Sequence, residues 1–460
     1  MKNQTGVPRR KWGMFSDKQF LRALAAITLP IVAQNLISLG TQMMDTIMLG
    51  AVGQDQLSAS SLANQPFFIF NLLIFGLASG SCILNAQYWG KGEVEPIKSI
   101  ISMVVKVTMI VGTLLSVLVL CFPETVMRIY TTDPAVIENG ISYLRIVGWS
   151  YLLFGISSTL LCTLRSVAIV RIAVVNSVTG LVVNIFLNWV LIFGHLGAPA
   201  MGIRGAALAT LISRTVEFLL VLSYIFLIDK KLRLRPRDLF RFDRILFQDY
   251  LKHGLPVAFN EVLWSVGISV QTMILGRLGS AVVSASQIAS LVNQFATVFV
   301  FGVANASAVI VGNAVGEGNM DKAIERIRWF RWLSVAMGFM AAGLILLISG
   351  PVVSFYNIPA ETRELALEML RVLSVIVVFV SITGVGIVGL LRGGGDPRFA
   401  LFCDLSALWL VAVPAGLLAA FVFHAPVLVV YALTKMDEPV KMLMICWRMR
   451  NNNWIRNVTR

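Results

Sequence analysis

Charge is what this 460-residue chain has least of: Asp, Glu, Lys and Arg together make up 13% of it, about half the share in a soluble domain. With 57% hydrophobic residues and a mean hydropathy of +0.80, the chain owns too few polar groups to cover a water-facing surface. A soluble globular protein is excluded on that ground. Catalytic signatures are missing as well. No HExxH, GxSxG or phosphate-loop pattern occurs, so an enzyme built on those motifs is not expected, and ATP hydrolysis is not the expected energy source. The three histidines (His195, His253, His424) are dispersed, which indicates no metal site and no cofactor. The five cysteines (Cys82, Cys121, Cys162, Cys403, Cys446) form no CxxC pair and read as small packing residues. A cleavable leader is not expected either, because the first apolar segment runs far past the length of a signal core.

What is there is a series of long apolar stretches. A membrane span needs about 20 mostly apolar residues. Windows of that size predict twelve helices, at 23–50, 57–86, 99–122, 137–162, 172–194, 204–228, 249–276, 283–312, 330–350, 362–390, 399–422 and 425–447. The last carries Lys435, Asp437, Glu438, Pro439 and Lys441, so its lower half is expected to leave the hydrocarbon or to face protein. The fold class is therefore an all-α polytopic membrane protein. Net charge is +14, and the basic residues collect in alternate connections: Lys91 and Lys98, Arg165 and Arg171, Lys230 to Lys252, Lys322 to Arg331, Arg392 and Arg398, and both tails. This is the positive-inside pattern. It places both termini in the cytoplasm and accounts for the charge without a nucleic-acid partner.

The chain repeats itself. Leu29-Pro30 laid over Leu255-Pro256 and run forward matches Thr46 with Thr272, Leu49-Gly50 with Leu275-Gly276, and Ser58-Ala59-Ser60 with Ser284-Ala285-Ser286. Phe75-Gly76 then falls on Phe301-Gly302, and Gly90-x-Gly92 on Gly316-x-Gly318. About 16 of roughly 64 positions are identical. One residue of slippage restores the register later, with Leu164-Arg165 over Leu391-Arg392 and Arg171 over Arg398. Six spans per half make the halves parallel repeats around an axis along the membrane normal, with a central cavity between them. The predicted division is a tail at 1–22, an N-lobe at 23–228, a basic linker at 229–248, a C-lobe at 249–447 and a tail at 448–460.

Four motifs carry a family resemblance: the repeated Leu-Pro opening, Asp45-Thr46-x-Met48-Leu49-Gly50 with Gly53, Gln87-x-x-Gly90-Lys91-Gly92, and Leu391-Arg392-Gly393-Gly394-Gly395-Asp396-Pro397-Arg398. In order and spacing they resemble the multidrug and toxic compound extrusion (MATE) family over nearly the whole chain. The resemblance implies a two-lobe, twelve-helix transporter that exports amphipathic, often cationic, organic compounds in exchange for H⁺ or Na⁺. It also implies a monomer in a bacterial inner membrane. The alternative is a flippase for a lipid-linked oligosaccharide or another lipid precursor. Few basic residues lie deep in the spans to meet an anionic headgroup, which counts against that alternative.

Acids inside a span are costly and therefore mark function. Asp45 lies in the second half of the first span and matches the family's acidic cation-site residue. It can take a proton, or ligate Na⁺ together with neighbouring oxygens. Asn184 and Asn188, four residues apart, share a face of the fifth span. The family often has an Asp at this spacing where this chain has two amides. Glu261 stands at the position of Asn35 in the repeat and is the candidate coupling acid of the C-lobe. The NorM-type branch of the family has its acids where this chain has Trp264 and Ser381. Glu217 is expected to pair with Arg214 along its own helix. Candidate cavity linings are Gln34, Asn35, Met48, Asn64, Phe67 and Phe68 in the first lobe, and Gln271, Gln287 and Asn293 in the second. Flexible Met and aromatic side chains suit varied ligands.

Overall fold

The structure is a computed structural model that describes residue 14 and residues 17–354, 356 and 358–459; the basic residues at 9–11 lie outside the described part. Six helical segments form the first lobe: α1 (Lys18–Gly50), α2 (Asp55–Lys91), α3 (Val94–Cys121), α4 (Pro134–Val147 and Ser150–Ser166), α5 (Arg171–Phe193) and α6 (Ile203–Ile228). Six more form the second: α7 (Arg244–Gly276), α8 (Ala281–Gly316), α9 (Met320–Ser354), α10 (Ala360–Leu391), α11 (Pro397–Val422) and α12 (Val427–Leu433 and Asp437–Arg448).

Ten of these are single helices long and apolar enough to cross a membrane, and α4 qualifies as a span bent by 53°. The bend falls at 148–149, where the Gly148 carbonyl accepts a hydrogen bond from Ser116 Oγ at 3.0 Å. The sequence windows predict a single span there, at 137–162. α12 departs further, because a turn at 434–436 breaks it into two short helices. Its charged half faces protein rather than water: Lys441 is 2% exposed.

The repeat is visible in the elements. Asp17 and Asp243 are repeat mates, and each caps the first helix of its lobe. Asp17 Oδ1 accepts the Phe20 N–H at 2.9 Å, and Asp243 Oδ1 accepts the Ile245 N–H at 2.8 Å. Such caps contribute about 1 kcal/mol each. Pro30 and Pro256 lie inside α1 and α7, where each removes a backbone hydrogen bond. The segment between the lobes is not a free tether. A short helical turn at Pro236–Phe240 docks on α3, with Ser102 Oγ 2.7 Å from the carbonyl oxygens of both Leu239 and Arg241. Arg241 also pairs with Glu95 and Asp238.

The lobes exchange the first halves of their leading helices at the face that carries the basic loops. Phe20 of α1 packs edge-on against Trp329 and Phe330 of α9, and Asp17 pairs with Arg326 at 2.9 Å. Reciprocally, Tyr250 of α7 is buried against the first lobe and donates to the Leu77 carbonyl at 3.1 Å. The ends of α2 and α8 cross so closely that a methyl group at Gly90 would overlap the Asn313 carbonyl, and one at Gly316 the Gln87 carbonyl. Both pairs are related by the repeat. Away from this face, each lobe keeps a core of its own. Leu49, Phe70, Tyr143 and Tyr151 form one, while Ile274, Val282, Leu373 and Tyr431 form the other. The described contacts therefore join the lobes at the basic face and leave them separate toward the opposite one.

Candidate cation-coupling site

Asp45 sits one turn and a half before the end of α1, half-buried, and turned toward α5. Asn188 Nδ2 donates to Asp45 Oδ1 at 2.6 Å and lies 3.1 Å from Asn184 Oδ1. Spacing by four residues places both amides on the face of α5 that packs against α1 and α6, and both are buried. Among the described residues, no Lys or Arg nitrogen lies within 4 Å of the Asp45 carboxylate, and Asn188 Oδ1 has no hydrogen-bond partner. A buried oxygen without a donor is costly. The trio is therefore one proton or one cation short of satisfying its oxygens.

The same lobe carries a group of packed aromatic rings. Phe67, Phe70, Tyr151 and Phe154 pack at ring separations of 4.9–6.4 Å. The Arg214 guanidinium lies over Phe67 and Phe154 at 4.2 and 4.3 Å, a cation–π arrangement. Arg214 does not close the expected ion pair with Glu217 at contact distance. Glu217 instead lies over Gly180 of α5, the position where α5 lacks a side chain. Asn64 shares a hydrogen bond with the Tyr143 hydroxyl at 3.3 Å.

The second lobe is built differently. Glu261 stands apart from the Asp45 trio and pairs with Arg392 at 2.8 Å, and Arg392 is 3% exposed. Deeper in the lobe, Lys441 reaches Asp404, Asp437 and Glu438 at 2.8, 2.7 and 3.1 Å. Asn260 donates to Asp404 at 2.8 Å, and Thr383 to Glu438. None of Asp404, Asp437, Glu438 and Lys441 was among the site residues expected from the sequence. The i, i+4 spacing of Asp437 and Lys441 was a readable signal, but the link to Asp404 on another helix was not.

The remaining expectations divide. Phe68 and Gln287 are exposed; Asn35 and Asn293 are half-buried, and Asn293 Oδ1 has no partner among the described residues. Met48 does not line an open space: it is buried in the first-lobe core. Gln271 is likewise buried, and its Oε1 accepts from Lys435 at 3.3 Å. Gln34 accepts from Arg165 at 3.3 Å, and Arg165 also reaches Asn305 across the seam at 3.4 Å. Arg392 repeats this, reaching Ser79 across the seam at 3.4 Å. Ser79 and Asn305 are repeat mates. Arg165 and Arg392, counted from the sequence as loop charges, are thus the two arms of a symmetric bracket between the lobes.

Comparison with known proteins gives a consistent result. The MatE family model matches residues 30–190 and 256–418, two stretches that open at the two prolines of the repeat. A probable multidrug resistance protein NorM of Thermotoga maritima is 25% identical over 398 residues, 86% of this chain and 84% of that protein. Among solved structures, a MOP superfamily transporter from Pyrococcus furiosus superposes with a TM-score of 0.84 at 19% identity, covering 93% of this chain and 95% of the other. An outward-facing multidrug resistance MATE family transporter gives 0.82 at 21% identity, with 93% and 95% covered.

Proposed function

Since the chain belongs to the MatE family of multidrug transporters, we propose that it is a secondary antiporter that exports amphipathic organic cations in exchange for H⁺ or Na⁺. The observation that carries this reading is the unsatisfied trio of Asp45, Asn184 and Asn188. Protonation turns the Asp45 carboxyl into a donor, and the orphaned Asn188 Oδ1 is the acceptor it lacks. A sodium ion answers the same need by drawing on the oxygens of Asp45, Asn184 and Asn188. Either occupant neutralises the carboxylate and rearranges the α1–α5 contact.

Coupling follows from that competition. With Asp45 ionised, the first lobe holds a negative charge that Arg214 offsets only from beyond contact distance, which favours an organic cation as its close partner. When the coupling ion arrives, the charge disappears and the substrate loses its electrostatic partner. One site with two mutually exclusive occupants links the two fluxes. The basic face is taken as cytoplasmic, and the chain is read as a monomer in a bacterial inner membrane.

Efflux of a fluorescent organic cation from proteoliposomes under an imposed proton or sodium gradient tests the proposal. Transport under one gradient identifies the ion. Asp45→Asn is expected to abolish gradient-driven efflux while leaving expression near normal. Undiminished coupled transport in that variant sinks the mechanism.

A further inference from the structure

The residues after α12 do not stay with their own lobe. Beyond a short turn at Asn452–Trp454 the backbone extends across the seam. Trp454 is 1% exposed and belongs to the second-lobe core, its ring against Gly394. Four residues on, Val458 packs against the cluster built mainly on α2, α3 and α4 of the first lobe. The backbone is fixed at both ends of this crossing. The Arg456 N–H donates to the Gly394 carbonyl at 2.8 Å. Gln87 of α2 then donates to the Arg456 carbonyl at 3.1 Å and accepts from the Val458 N–H at 2.7 Å. Gln87 is fully buried, and its side-chain amide is occupied by this segment and by the Gly393 carbonyl.

The duplicated half supplies an internal control. Leu391-Arg392-Gly393-Gly394-Gly395 corresponds to Leu164-Arg165-Ser166-Val167-Ala168. Gly395 and Ala168 both adopt the left-handed backbone, with φ of 87° and 57°, so conformation alone does not explain the glycine. What differs is the covering. A methyl group at Gly395 would strike the Arg456 carbonyl, and one at Gly394 the Trp454 ring. The segment after α6 turns back on its own lobe instead, burying Leu232 and Leu234 there. The triple glycine and Gln87, two motifs that ion coupling leaves unexplained, meet at the C-terminal segment.

We propose that residues 452–459 form a strap that holds the basic-face seam shut, anchored by Trp454 in the second lobe and latched on Gln87 in the first. Opening this face requires residues 456–459 to leave Gln87 while Trp454 stays seated, so the strap sets the share of molecules open on the basic side. Its removal favours the open arrangement without touching the Asp45 trio.

Spin labels joined by oxime linkage to a genetically encoded keto amino acid in place of Glu93 and of Glu317, in the turns after α2 and α8 on either side of the seam, read its width in nanodiscs once the native cysteines are changed to serine, so that thiol oxidation and reduction leave the labels in place. Pulsed dipolar spectroscopy on the chain lacking 456–460, which keeps the Trp454 anchor, is expected to show roughly a threefold or greater rise in the long-distance population. Val458→Asp in the full-length chain is expected to do the same. An unchanged distance distribution in both overturns the strap. In a third variant, Gln87→Cys with Val458→Cys, oxidation by copper phenanthroline should abolish the long-distance population and a reductant should restore it. A seam that still widens when cross-linked refutes the latch, whether or not the shortened chain folds.

Discussion

Arg392 and Glu261 offer the sharpest energetic test. Arg392 is buried and Glu261 largely so, they are 2.8 Å apart, and Arg392 spans from Glu261 to Ser79 of the other lobe. At an effective dielectric constant near 20, opposite charges in contact attract by about 4 kcal/mol. Desolvation of the two ions consumes much of that gain, so the pair as a whole contributes little against a neutral replacement. Removing one partner is different, because a buried charge is then left alone at a cost of about 3–5 kcal/mol. Arg392→Gln is therefore expected to destabilise the protein by about 3 kcal/mol, and Glu261→Gln by a similar amount. The double substitution should cost only about 1 kcal/mol, a coupling of several kcal/mol. Unfolding in detergent, followed by tryptophan fluorescence through the full cycle, measures this. Single effects that simply add in the double variant would refute the argument. Ser79→Ala should stay within about 1 kcal/mol of wild type, since a 3.4 Å contact is at the weak end of hydrogen bonding.

Four further outcomes are expected. Asn188→Leu removes the amide that holds Asp45 and should cut coupled efflux at least roughly tenfold with little loss of folded protein; transport at the normal rate would show that the amide is a bystander. Gly90→Ala and Gly316→Ala should each widen the basic-face seam, and to a similar extent because their obstructions are repeat mates; label accessibility at the seam measures both. Lys441→Met strands three carboxylates and should abolish the folded protein in size-exclusion profiles, with partial rescue by Asp404→Asn. Asp17 lies outside the spans. Burial acts to raise its pKa, but the Phe20 amide and the Arg326 guanidinium outweigh it and hold it below the ordinary carboxylate value. The contribution of that cross-lobe contact is therefore present above the ordinary value and lost as pH falls through the lowered one. Asp17→Asn should flatten the acid limb of a stability–pH curve.

The helices were legible because a span announces itself by length and apolarity within one window. Their ends were less so: α7 begins at Arg244 and α9 at Met320, since polar turns outside the hydrocarbon continue the same helix. The Asp45 trio was readable because an acid in a span and an i, i+4 amide pair are both local signals. Lys441 and its three carboxylates escaped because Asp404 and Asp437 share nothing in sequence. They meet only when α11 and α12 pack. Arg165 and Arg392 looked like membrane-edge charges, and only the three-dimensional contact with Gln34 and Glu261 turns them inward.

The reciprocity of the seam has a consequence for the origin of the chain. Gly90 meets Asn313 while Gly316 meets Gln87, and Arg165 reaches Asn305 while Arg392 reaches Ser79. Each contact is made twice, by exchanged partners, which is the signature of an isologous two-fold interface. A half-length polypeptide carrying this surface would bear both sides of every contact and would pair with its own copy. Joining two such copies into one chain frees each half from having to match the other. One half could then keep Asp45 beside the two amides of α5 while the other filled its interior with Lys441 and its acids, a division of labour that no homodimer can hold.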